Sequence, residues 1–191
     1  MYTIPLYLVI LLTLSSCQGC SHEAVVINGQ TLLRRDTLPP PAPDSAEFVT
    51  RINTAGTNAD SLVAFAQSLR GIPYLYASTD PAQGFDCSGF ITYVFNHFKI
   101  AVPRRSMDFD HMHNQVPLSQ AKTGDLVLFT GTDSTDGVPG HMGILIVKPG
   151  QPVVFIHSTS GKARGVTETP FSPYYDSRYL KTIRVFEDSS K

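Results

Sequence analysis

Two stretches of the chain carry apolar residues at the three-and-four spacing that gathers them on one face of a helix. The first runs from Asn58 or Asp60 to about Leu69. Leu62, Val63, Phe65, Ala66 and Leu69 form its apolar face, an Asn or Asp stands ready to cap it, and Gly71 stops it. The second begins at Cys87, where Phe90, Ile91, Val94, Phe95 and Phe98 share a face and Lys99 marks the end. Beyond residue 122 the pattern changes to short apolar runs separated by turn residues. These predict strands at 125–129, 141–147, 153–158 and 179–186. A polar stretch from Val102 to about Lys122 lies between the two regimes. Helices first and antiparallel strands after predict an α+β domain over residues 58–188.

The N-terminal part follows different rules. Residues 4–14 are almost wholly apolar, but the run is shorter than the ~20 residues a bilayer span needs. It ends in Leu14-Ser15-Ser16-Cys17, which resembles a bacterial lipoprotein signal. That resemblance implies a signal peptide over residues 1–16, cleavage before Cys17, and a lipid on Cys17 that anchors the chain to a membrane. No Lys or Arg precedes the apolar run, a departure from the usual pattern of such signals. Residues 17–57 are expected to be a tether. It contains Pro39-Pro40-Pro41-Ala42-Pro43, stiff and extended, and one short apolar piece, 24–27, that is read as a stray edge strand.

Composition narrows the chemistry. The net charge of -1 supplies no basic field for nucleic acid. Three cysteines, Cys17, Cys20 and Cys87, are too few for a disulfide framework. There are no heptads or internal repeats, and the chain is expected to act as a monomer.

Cys87 sits between Asp86 and Ser88 at the mouth of the second helix. The first N–H groups of a helix lack internal partners and carry partial positive charge. A thiol there is expected to ionise more readily, and the same N–H groups can receive an oxyanion. Asp86 opposes this if its charge faces the sulfur, so its side chain is expected to turn away, either to cap the helix or to meet a substrate cation. A nucleophilic cysteine needs a base, usually a histidine oriented by a third group. Of the six histidines, His97 lies about three turns along the helix from Cys87, too far to touch it. His141 opens one predicted strand and His157 closes the next, so adjacent antiparallel strands can bring them together. His111 and His113 offer two metal ligands, but no third follows at ligand spacing. The segment 133–137 fails the calcium-loop pattern and is read as an exposed turn.

With these residues in place, the chain resembles the NlpC family of papain-like cell-wall endopeptidases. The resemblance is carried by Gly71-Ile72-Pro73-Tyr74, Phe85-Asp86-Cys87-Ser88-Gly89-Phe90, Val102-Pro103-Arg104 with Ser106, Thr123-Gly124-Asp125-Leu126-Val127, Gly140-His141-Met142-Gly143-Ile144 and Phe155-Ile156-His157, in family order. It implies Cys87 as nucleophile, His141 as base and acid, and His157 as the polar third member. It implies Tyr74 at the oxyanion, Asp86 and Ser88 against the substrate, and a structural role for Arg104 and Ser106. The expected substrate is a peptidoglycan stem peptide, cut between D-γ-glutamyl and diaminopimelate residues without metal or cofactor, in the cell envelope. Ala77 and Ser78 depart from the paired glycines common after the tyrosine. Two other readings stand beside this one. One is an inactive wall-binding lipoprotein; the other is a papain-like amidase or acyltransferase on a different substrate.

Overall fold

The computed structural model describes residues 24–27, 30–33, 51–131, 135 and 137–187. The predicted signal peptide, Cys17, Cys20 and the proline run lie outside the described residues, as does most of the segment 133–137. The chain divides into two compact units, Met1–Ala46 and Glu47–Lys191. In the first, β1 (Ala24–Ile27) pairs antiparallel with β2 (Gln30–Leu33). The stray strand read from the sequence therefore has a partner.

The second unit opens with α1 (Ala59–Ser68), capped by Asn58, whose Oδ1 accepts from the N–H groups of Asp60 at 2.8 Å and Ser61 at 3.2 Å. A small hairpin of β3 (Thr79–Asp80) and β4 (Gly84–Phe85) leads into α2 (Cys87–His97). The second helix ends two residues before Lys99, which adopts a left-handed backbone just past it. Phe90, Ile91, Val94 and Phe95 are fully buried, as their spacing predicted.

The polar stretch after α2 resolves into a 3-10 turn over Ser106–His111, the short strand β5 (Gln115–Val116) and a second 3-10 turn over Leu118–Gln120. Then come β6 (Leu126–Thr130), β7 (Pro139–Ile146), β8 (Val154–Thr159), β9 (Gly165–Pro170), the single-turn helix α3 (Pro173–Asp176) and β10 (Tyr179–Ile183). Six strands form one antiparallel sheet in the order β5-β10-β6-β7-β8-β9.

Strand alternation gives this sheet two buried faces. Leu126, Leu128, Met142, Ile144, Ile156 and Ile183 pack with the apolar faces of α1 and α2. Val127, Phe129, Leu145 and Phe155 point the other way, under Phe171, Tyr175 and Tyr179. Covering on both sides explains why the central strands read as unbroken apolar runs. One charged residue is built into this core. Asp125 is fully buried and accepts from Arg184 Nε at 3.0–3.1 Å and from the N–H groups of Lys122 at 2.8 Å and Val185 at 3.2 Å. It ties the start of β6 to the segment after β10.

β9 is the strand the sequence reading missed. It pairs with β8 along its whole length, yet Val166 is its one buried large apolar side chain. An edge strand of Thr and Glu carries little hydrophobic signal.

Candidate active site

Asp86 is the N-cap of α2; its Oδ1 accepts from Gly89 N–H at 2.5 Å. That capping bond places Cys87 at the first helical position. The same carboxylate is gripped by Arg104, whose Nη1 reaches Oδ1 at 3.1 Å and whose Nη2 reaches Oδ2 at 2.7 Å. Arg104 Nη1 also donates to Ser88 Oγ at 3.0 Å. Asp86 therefore does turn to cap the helix, and the cation it meets belongs to the protein itself. Ser106 Oγ donates to the Pro139 carbonyl at 3.1 Å, joining the 3-10 turn to the start of β7.

Cys87 is half-buried. Its sulfur makes a weak contact with the Gly140 carbonyl at 3.9 Å. Gly140 directly precedes His141, so the thiol lies against the end of β7. His141 Nε2 is 2.7 Å from His157 Nδ1, and His157 Nε2 is 2.9 Å from Thr169 Oγ1. In the resting geometry the thiol and the His141 ring are not hydrogen-bonded to each other. His141 Nδ1 is left without a hydrogen-bond partner among the described residues.

The strand register builds this relay. β7 and β8 pair Ile144 with Ile156, which sets His157 diagonal to His141 on the same sheet face, a spacing that long side chains bridge. Between them stands Gly143, where a Cβ would come within 3.3 Å of the His157 Cβ and 2.7 Å of the Phe155 ring. Aromatic rings wall the pair in: Phe129 stacks on His141 with centroids 6.1 Å apart, and Tyr175 stands edge-on to His157 at 5.9 Å. Thr169, the outer end of the relay, escaped the sequence reading because β9 did. The β-branched residues Val166, Thr167 and Thr169, following the turn at Gly161–Arg164, were the available signal.

Electrostatics reverse one expectation. The Cys87 thiol is pushed up to about 11, by burial first and by Asp86 second. The backbone N–H groups at the helix mouth and Arg104 pull it down, as a helix start should, but they are outweighed. His141 is pushed down to about 4 by burial and then by the Arg178 charge. His157 is pushed down as well, by burial and by His141. At neutral pH the resting site is thus a neutral thiol beside a neutral imidazole. The Tyr74 hydroxyl is raised by burial and then by Cys87 and Asp86, which places it within electrostatic reach of the sulfur. His111 and His113 are exposed, and among the described residues no three ligating groups converge on a metal position. His97 stacks on Phe65 with centroids 3.7 Å apart.

A family model described as NlpC/P60 family matches residues 71–184, which contain every residue of this relay. The chain belongs to the NlpC/P60 family. It is similar to the Gamma-DL-glutamyl hydrolase of Bacillus subtilis, with 34% identity over 137 residues, covering 72% of this chain and 32% of that protein. It is also similar to the Murein DD-endopeptidase MepH of Escherichia coli, with 34% identity over 79 residues, covering 40% of this chain and 28% of the relative. The matches therefore span about a third of the length of these curated relatives. Among solved structures, an NlpC/P60 family protein from Bacillus cereus superimposes with a TM-score of 0.58 at 29% identity, over 67% of this chain and 40% of that one. The α+β, papain-like arrangement of NlpC/P60 proteins is the fold of this chain.

Proposed function

We propose that this chain is a cysteine endopeptidase of the cell envelope that hydrolyses peptidoglycan stem peptides between D-γ-glutamyl and diaminopimelate residues. The observation that carries the reading is the line of side chains from the mouth of α2 across three strands: Cys87 at the Gly140 carbonyl, then His141, His157 and Thr169. His157 orients His141 and Thr169 orients His157, which is what the base of a nucleophile requires.

In this mechanism Cys87 Sγ attacks the scissile carbonyl carbon as its proton passes to His141 Nδ1. Because both groups rest neutral, proton transfer accompanies attack rather than preceding it. The new S–C bond drives the carbonyl electron pair onto oxygen. In this reading the N–H groups at the helix mouth and the Tyr74 hydroxyl donate to it. Collapse expels the amine of the diamino acid, which takes the proton from His141. Water then adds to the thioester, giving a proton to His141; the acid departs, and the proton returns to sulfur. Asp86 and Ser88, held by Arg104, form the wall of the site nearest the nucleophile.

The lipid on Cys17, with a tether over residues 17–57 and a catalytic domain over 58–188, belongs to the same proposal and rests on the sequence alone. It predicts that Cys17→Ala moves the protein out of the membrane fraction. The relatives' names carry two bond types, γ-DL-glutamyl and DD. The deciding experiment incubates the full chain and its Cys87→Ala variant with defined muropeptides containing each bond, with products weighed by mass spectrometry. The wild type should release the γ-D-glutamyl product and the variant nothing. Undiminished release by Cys87→Ala would overturn the nucleophile, and cleavage confined to the DD bond would overturn the substrate.

A further inference from the structure

The strand end against which His141 lies is held by a residue outside the relay. Arg178 lies one residue before β10, half-buried. Its Nη2 donates to the Thr130 carbonyl at 2.8 Å and also to the Gly131 carbonyl, while its Nη1 reaches the Tyr174 hydroxyl. Its guanidinium carbon lies 4.9 Å over the Tyr174 ring, and its own carbonyl accepts from Thr130 N–H at 2.9 Å. Arg178 thus holds the end of β6 from both its backbone and its side chain.

That strand end is what His141 rests on. Phe129 pairs with His141, but Thr130 pairs with Pro139, so the register slips and Gly140 is left as the extra residue of a bulge. Bulges beside active sites re-aim side chains. Here the bulge is pressed against Gly131: a Cβ on Gly140 would lie 2.4 Å from the Gly131 Cα and 2.7 Å from its nitrogen. The bulged residue also offers the carbonyl that the Cys87 sulfur touches. Tyr175, three residues before Arg178, lies nearly parallel to the His141 ring with centroids 6.5 Å apart. Arg178 Nε and Thr130 Oγ1 are both buried without a hydrogen-bond partner among the described residues.

From these contacts we infer that Arg178 is a positioning residue: its Nη2 bonds to the Thr130 and Gly131 carbonyls, with Nη1 anchored on Tyr174, set the bulge that aims His141 at Cys87. The inference rests on reading these two residues as base and nucleophile. A second consequence follows from charge. The titratable groups facing His141 are His157 from β8, Tyr175 from α3, Cys87 from α2 at the Gly140 carbonyl, and Arg178. Of these, Arg178 is the charge that holds the imidazole neutral, second to burial.

The test compares Arg178→Gln, Arg178→Lys and Tyr174→Phe in the full chain, with two readouts. One is kcat and KM on the muropeptide. The other is titration of the His141 ring by NMR, which needs no substrate. Arg178→Gln should lower kcat by about 10–100-fold with little change in KM, the scale expected when a reacting group is misplaced by about 1 Å. It should also move the His141 titration up, toward the ordinary histidine range. Arg178→Lys keeps the charge without the planar guanidinium that spans the two carbonyls and Tyr174, so the titration should stay low while kcat falls. Tyr174→Phe removes one anchor of the guanidinium and should lower kcat less than Arg178→Gln. If Arg178→Gln does not fold, the other two variants decide. An unmoved His141 titration in folded Arg178→Gln, or wild-type kcat in both Arg178→Lys and Tyr174→Phe, overturns the inference. A wild-type protein that cleaves no muropeptide sinks the peptidase reading instead, and the NMR titration still judges the link from Arg178 to His141.

Discussion

The ionisation of Cys87 separates this site from one built on a preformed thiolate, and a single carboxylate controls much of it. A thiol pushed from 9.0 to about 11 is less ionised at neutral pH by about a hundredfold, equivalent to about 3 kcal/mol against the thiolate. Burial leads, and Asp86 comes second. Asp86→Asn keeps an oxygen for Gly89 N–H, so the helix cap survives, while the charge beside the sulfur disappears. Arg104, now uncompensated, pulls further toward the thiolate. The assay is alkylation by iodoacetamide from pH 6 to 11, reading the Cys87 peptide by mass spectrometry so that Cys17 and Cys20 do not contribute. Wild-type labelling should climb without a plateau to about pH 11. Asp86→Asn should label faster at pH 7.5, roughly tenfold if the charge is worth about one pKa unit. A wild-type plateau below pH 8, or slower labelling of folded Asp86→Asn, would refute the reasoning and restore a thiolate–imidazolium pair.

Four further outcomes are expected. A protonated His141 cannot accept the thiol proton, so kcat/KM should fall on the acid side near pH 4; a limb near 6.5 would contradict the buried neutral imidazole. The same depression bears on stability: the unfolded chain takes up the His141 proton first, at about pH 6.5. The contribution is therefore present above that pH and lost as pH falls toward about 4, by up to ~3 kcal/mol; urea denaturation of wild type and His141→Gln at pH 7.5 and 4.5 measures it. Thr169→Val removes the oxygen 2.9 Å from His157 Nε2 and should lower kcat about tenfold while leaving KM unchanged; steady-state kinetics that show no loss would remove Thr169 from the relay. Asp125→Asn leaves Arg184 without its buried counter-charge and should cost about 3–5 kcal/mol in urea denaturation, and a cost under about 1 kcal/mol would show the pair to be dispensable.

Much of the frame was legible along the chain because the forces that set it are local. Asn58 and Asp86 cap the helices they precede, and the three-and-four spacing of Phe90, Ile91, Val94 and Phe95 meets a core that needs one apolar face. The central strands announced themselves because both faces of the sheet are covered. Where a strand carries little apolar bulk the signal failed: β9 has Thr and Glu beside its single Val, so Thr169 went unseen.

Chain order alone shows a cysteine at a helix mouth, then a histidine opening one strand and another closing the next. Tertiary structure decided what that order does. Strand register brought His157 onto His141, a bulge at Gly140 set the thiol against β7, and Arg104 arrived from 18 residues away to hold Asp86 beside the sulfur. The helix mouth favours a thiolate in any sequence. Only the folded chain adds the burial and the neighbouring carboxylate that overrule it, because desolvation and charge depend on distances that no spacing along the chain specifies.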